Sequence, residues 1–119
     1  MTVQKNIHKV TNMFFYKNDC ELTDLGGGVS RRILAEDEKM MAVEVSFKKG
    51  AVGAMHTHPH VQISYVLEGK FEATIGDEKK IIGVGDTYYT VPDIPHGVVC
   101  LEKGKLLDIF TPEREDFLK

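Results

Sequence analysis

Only two cysteines, Cys20 and Cys100, occur in the 119 residues, too few for a disulfide framework. No apolar run approaches the ~20 residues that a membrane-spanning helix needs, so no membrane partner is expected. The amino terminus, MTVQKNIHKVTN, lacks the apolar stretch of a signal peptide, and cytoplasmic residence is the resulting expectation. Neither sign of charge dominates: 15 Lys and Arg stand against 18 Asp and Glu, a net −3. Their mixing argues against nucleic acid as a main partner. No Gly-Lys-Ser/Thr step follows the glycine run LGGGV at residues 25–29, so that run reads as a turn and not as a phosphate loop. No window carries a 3.6-residue apolar period. Only the ending PEREDFLK, with Pro112 at its start, can make a helical turn.

What is present is a strand rhythm. Hydrophobic residues at 42% and charged residues at 28% are ordinary for a globular chain, long enough for one domain over residues 1–119 with a modest core. Residues 1–12 are polar and read as a mobile arm, with His8 on the surface. MFFYKND (residues 13–19) suits a strand buried on both sides or pressed against another subunit. In MAVEVSF, Met41, Val43, Val45 and Phe47 alternate with Ala42, Glu44 and Ser46, the period of a half-buried strand. SRRIL precedes it across a charged turn, AEDEK. FEATIG, IIGVGD, TYYTVPD, HGVVCLEKG and KLLDIFT follow the histidine segment, with DEKK as a turn. Short β-rich runs broken by glycine turns predict an all-β sandwich or barrel.

The chain is organised around residues 50–69, GAVGAMHTHPHVQISYVLEG. Three of its five histidines, His56, His58 and His60, fall within five consecutive residues, as expected where imidazoles must converge on a transition metal. Side chains two apart on a strand share a face, so His56 and His58 can grip one ion. Gln62 has the same parity, but six residues of straight strand span roughly 20 Å. Pro59 interrupts regular pairing and lets the chain fold back, bringing Gln62 beside the histidines at the start of QISYVLEG, which Gly69 closes with a turn. His60 is read as a loop or supporting residue. The plainer alternative is a polar edge strand and solvated loop, against which Met55 and Ile63 suggest entry into the interior. His96, delivered on a backbone stiffened by Pro92 and Pro95, is the fourth candidate ligand. Cys100 shares its parity and reads as a small buried hydrophobe more than a thiolate ligand.

These residues resemble the two cupin motifs. Gly50-x5-His56-x-His58-x3-Gln62-x6-Gly69 is similar to the first. Gly85-x5-Val91-x-Asp93-x2-His96 is similar to the second, with Pro92 one place late and Asp93 where glycine is usual. The resemblance implies a small double-stranded β-helix, or jelly-roll barrel, with one divalent transition metal ion per chain in its mouth. It assigns His56, His58 and His96 as ligands, with Gln62 where the family usually has glutamate. A neutral amide leaves the ion its full double charge, making a stronger Lewis acid that attracts anions. The imidazoles suit Zn, Ni, Fe, Mn or Cu without choosing among them.

A narrower resemblance, carried by HTHPHVQISYVLEG, RRILA and DIFTPEREDFL, is to the KdgF-type pectin-degradation cupins. It implies isomerisation of 4,5-unsaturated monouronates from pectin or alginate to the linear 5-keto-4-deoxyuronate. Carried over by position, the active residues are Asp108, Phe110 and Arg114. Asp108 and Phe110 alternate with Ile109, so both can face one cavity. A carboxylate can mediate the proton transfers of ring opening and ketonisation, and Arg114 can pair with an anionic sugar's carboxylate. The bland counterpart places Asp108 at a strand end and Arg114 in a surface pair with Glu113 or Glu115. Arg31 and Arg32 stay unassigned, since at least one must face away. Two further functions compete: a metal-dependent dioxygenase on the same barrel, and a non-enzymatic sugar- or metabolite-binding cupin. The apolar run Phe14-Phe15-Tyr16 implies a homodimer.

Overall fold

The computed structural model describes residues 13–118; the expected arm over residues 1–12 and His8 lie outside the described residues. Eight strands follow one another: β1 (Leu22–Gly26), β2 (Val29–Asp37), β3 (Met40–Phe47), β4 (Val52–His56), β5 (Val61–Ile75), β6 (Glu78–Gly83), β7 (Thr87–Thr90) and β8 (His96–Thr111). Two 3-10 turns, Lys17–Asp19 and Glu115–Leu118, are the only helical segments among the described residues. No described helix is long and apolar enough to cross a membrane.

Two long strands carry the architecture. β5 and β8 pair antiparallel from Val61↔Thr111 to Ile75↔His96, and the two halves of this ribbon belong to different layers. Residues 61–68 and 105–111 take β7 on one side and β3, β2 and β1 on the other. Residues 70–75 and 96–102 take β6 and β4. This is the jelly-roll arrangement expected from the sequence. Phe47 of β3 and Phe71 of β5 meet edge to face across the core, their ring centroids 5.1 Å apart. Met41, Val43, Val66, Leu106 and Phe110 fill the space around them.

The ribbon changes layer at two glycines. Gly69, expected to close its strand, lies inside β5 with φ 81°; the ladder loses register around it. A side chain there would run into the backbone carbonyls of Glu102 and Lys103, and one at Gly104 would meet the Glu68 carbonyl and the Phe71 ring. Both strands therefore read as two segments in sequence and are single bent strands in the structure.

Several boundaries differ from expectation. MFFYKND forms no strand. Met13, Phe14, Phe15 and Tyr16 are exposed, and Arg32 ties the adjoining chain to β2 by donating from Nη1 to the Cys20 carbonyl at 2.9 Å. β1 was not legible, because all five of its residues are exposed and show no alternation. The turn after β2 is narrower than AEDEK: Asp37 Oδ1 accepts from the backbone N–H of Lys39 and of Met40. The DEKK turn lies one step earlier, so Lys79 and Lys80 belong to β6. MAVEVSF alternates as expected, except that Glu44 is covered by its pair with Lys17 at 3.2 Å. The carboxy-terminal turn begins at Glu115 and not at Pro112.

Crowding at the bend yields a prediction. Gly27→Ala (φ 62°, nothing within 4 Å) should cost about 1–2 kcal/mol for its left-handed backbone alone. Gly69→Ala adds a collision with backbone and should cost more than about 3 kcal/mol. Urea unfolding compares them; equal losses would show that the bend does not need the space.

Candidate functional site

The site lies between the two layers, and its side chains come from adjacent rungs of the ladder. Gln62 of β5 is flanked by Thr90 and Phe110, and Ser64 by Tyr88 and Asp108. Strand alternation sends Gln62, Ser64, Asp108 and Phe110 inward, and all four are buried. His56 pairs with His96 across β4 and β8. His58 lies beyond β4, where its carbonyl accepts from the Asp93 N–H at 2.8 Å. Asp93 holds a left-handed φ of 66°, the conformation that explains glycine as the usual residue there. Met55 and Ile63 are exposed, so the stretch turns inward through His58 and Gln62 and not through those apolar neighbours.

Three imidazoles converge. His56, His58 and His96 offer ligand atoms that all lie within 4.8 Å of one another. Two of the rings are aimed by backbone carbonyls. His56 Nδ1 faces the Ala54 carbonyl and His96 Nδ1 the Ile94 carbonyl, both at 2.9 Å, so Nδ1–H donates and Nε2 keeps its lone pair. Gln62 Oε1 stands 2.8 Å from His58 Nε2 and 3.2 Å from His96 Nε2. Burial lowers the pKa of both His58 and His96, the latter to about 4, so at neutral pH each ring carries one proton. His96 then has one proton for two facing oxygens, a conflict that a cation at Nε2 removes. The Gln62 oxygen thus stands beside the Nε2 atoms of two rings, where it would join them in holding an ion. The cluster fits a transition metal ion.

The other candidate residues share a cavity of about 150 Å³ with His56, His96 and Gln62. Asp108 lies within β8 and remains paired on both sides, not at a strand end, and accepts from Ser64 Oγ at 2.6 Å. Burial raises its carboxyl pKa to about 6, against the opposing pull of the Ser64 hydrogen bond and the Arg114 charge. Arg114 also lines the cavity. Its fork is held by Asp116 through Nε and Nη2 at 3.0 and 2.8 Å. The fork partner is thus Asp116, and not the Glu113 or Glu115 of the bland counterpart, and the Arg114 side chain is only 11% exposed. Arg114 lies 4.3 Å and Arg31 3.8 Å from the centroid of the same Phe117 ring.

Arg31, left unassigned in sequence, therefore faces the cavity while Arg32 faces outward. Ser64, Tyr88 and Phe117 were missed. Ser64 shares the parity of Gln62 and was findable; Tyr88 was not, because its strand partner cannot be read from one sequence. The Tyr88 hydroxyl borders Ser64 and Gln62 and stays protonated, its pKa raised by burial and by the Asp108 charge. His60 stands apart from the cluster, Nε2 donating to the Glu113 carbonyl at 3.0 Å. Cys100 is buried in the core, its thiol donating to the Glu102 carbonyl at 3.0 Å, and burial raises its pKa. A larger groove of about 420 Å³ at the hairpin of residues 26–28 gathers no comparable group of ligands.

An all-β jelly roll with three converging imidazoles defines a class. The cupin domain family matches residues 43–110, and the chain belongs to it. It is 44% identical to the pectin degradation protein KdgF of Dickeya dadantii (strain 3937) over 107 residues, 88% of this chain and 97% of that one. Among solved structures, an RmlC-like cupin from Shewanella frigidimarina superposes with a TM-score of 0.86 at 40% identity, covering 90% of this chain and 96% of that one. KdgF from Halomonas sp. gives 0.84 at 38% identity, covering 87% and 98%.

The donor set predicts about one transition metal ion per chain. His56→Ala/His58→Ala removes two of three imidazoles, so elemental analysis should find the ion gone while circular dichroism keeps its β signature. Full occupancy would place the site elsewhere.

Proposed function

We propose that this protein is a metal-dependent isomerase that converts 4,5-unsaturated monouronates from pectin or alginate to linear 5-keto-4-deoxyuronate. One observation carries the reading: a single cavity is lined by His56 and His96 of the imidazole cluster, Gln62, one buried carboxylate and two guanidiniums. The likeness to KdgF over nearly its whole length supports the substrate class.

A divalent ion held by His56, His58, His96 and Gln62 supplies Lewis acidity toward substrate oxygens. Asp108 handles the proton. It accepts the anomeric hydroxyl proton as the carbonyl forms and the ring C–O bond breaks, leaving an enolate at carbons 4 and 5. The carboxylic acid so formed returns a proton to carbon 4, giving the ketone at carbon 5 and restoring the carboxylate. A carboxyl near pKa 6 suits both directions of transfer close to neutral pH. The substrate carboxylate exchanges with Asp116 on the Arg114 fork, and Arg31 adds a second positive charge at the same ring. Phe110, 5.7 Å from the His58 centroid, walls the cavity and limits water.

Turnover should appear as loss of the ultraviolet absorbance of the conjugated double bond, faster than the spontaneous rate and abolished by chelation. Asp108→Asn should lower the rate by about 10²–10⁴-fold. Arg114→Lys keeps charge but loses the fork, and should chiefly raise KM, by about tenfold or more. Wild-type speed in Asp108→Asn would remove the carboxylate from the mechanism. If no unsaturated uronate reacts, the isomerase reading fails.

The assembly in this reading is a homodimer. Phe14 and Tyr16 are 83% and 72% exposed, and Ile63, Tyr65 and Tyr89 are also exposed on β5 and β7, apolar side chains that a partner chain would cover. Light scattering at micromolar concentration should give twice the 13.4 kDa chain mass; the mass of one chain would reject the dimer.

A further inference from the structure

The side chain of Gln62 has two ends of nearly equal shape, and only its oxygen can hold a cation. Which end faces the imidazoles is decided on the opposite side of the residue. An ionised Asp108 can only accept hydrogen bonds, so Ser64 donates its one proton to Asp108 Oδ1 at 2.6 Å. Ser64 Oγ is then left as an acceptor, and Gln62 Nε2 donates to it at 2.8 Å. With its nitrogen so engaged, Gln62 turns Oε1 to His58 Nε2 and His96 Nε2. Ser64 has no exposed surface, so bulk water cannot substitute at this joint.

We propose that Ser64 is a positioning residue, passing the acceptor character of Asp108 on to the Gln62 amide and so aiming its oxygen into the three-imidazole cluster. The inference rests on the reading that this cluster and Gln62 hold a metal ion. The residue that handles the proton thereby also keeps a ligand in place, two rungs of one sheet acting together. In Asp108→Asn the new amide could donate to Ser64, which would then donate to Gln62 Oε1 and favour the inverted amide. Asp108→Asn therefore weakens ion binding as well as proton transfer.

The test is zinc affinity, read by competition with a chromophoric chelator at pH 8, on folded protein checked by circular dichroism and by the melting temperature in chelator. Wild-type binding tests the metal reading; the variants test the inference. Ser64→Ala should weaken zinc by about 10–100-fold, and Ser64→Thr, which keeps the hydroxyl, should recover most of the loss. In a Gln62→Glu background the side chain offers oxygen at both ends, so Ser64→Ala should change affinity by less than about threefold. Unchanged affinity in Ser64→Ala overturns the proposal. So does an equal loss in both backgrounds, which marks a merely structural serine. If wild type binds no zinc, the metal reading falls and takes this inference with it.

Discussion

The pairing of β5 with β8 is the constraint on which the site depends. Its register sets Gln62 beside Phe110 and Ser64 beside Asp108, and far along the same ladder it sets Ile75 beside His96. A slip of one residue would turn every one of these side chains to the outer face. The bends at Gly69 and Gly104 then fold the ribbon over itself, so that β4 with its His56 is carried on one layer and Asp108 on the other. Ligands and carboxylate thus meet in one cavity although they lie far apart in sequence.

The electrostatics follow from that closure. His58 and His96 are held neutral by burial and by the positive groups around them, and two guanidiniums stand at the Phe117 ring. Against them the cavity sets one buried carboxylate, Asp108, and Asp116 at the Arg114 fork. With a divalent ion added, such an interior has a surplus of positive charge and favours an anionic ligand. In the proposed reading the carboxylate of a uronate meets that surplus, while Asp108 stays close enough to neutrality in its titration to pass a proton both ways.

Much of this was legible before the fold was known, for physical reasons. His56 and His58 share a strand face by spacing, Pro59 marks the break before Gln62, and the alternation in MAVEVSF points its apolar residues to the core. Asp108 and Phe110 share a parity, as Gln62 and Ser64 do. What could not be read depends on pairing between distant segments. The placing of Tyr88 next to Ser64 is set by a short strand's register, and the choice of Arg31 over Arg32 by which face of the sheet turns toward the cavity. Continuous β5 and β8 were hidden because glycine signals both a turn and a bend, and only the neighbouring chain decides which. The aromatic run at residues 13–16 misled, since apolar character alone does not supply a strand partner.

In the proposed reading, proton transfer to carbon occurs inside this cavity and not after an enol has escaped into solution. Turnover of an unsaturated monouronate in deuterium oxide, followed by nuclear magnetic resonance, tests it most directly. A carboxyl fixed on one face of the substrate should deliver deuterium to a single one of the two positions on carbon 4. Equal labelling of both positions, at early times before any exchange of the product, would contradict it and leave the protein at most a ring-opening role.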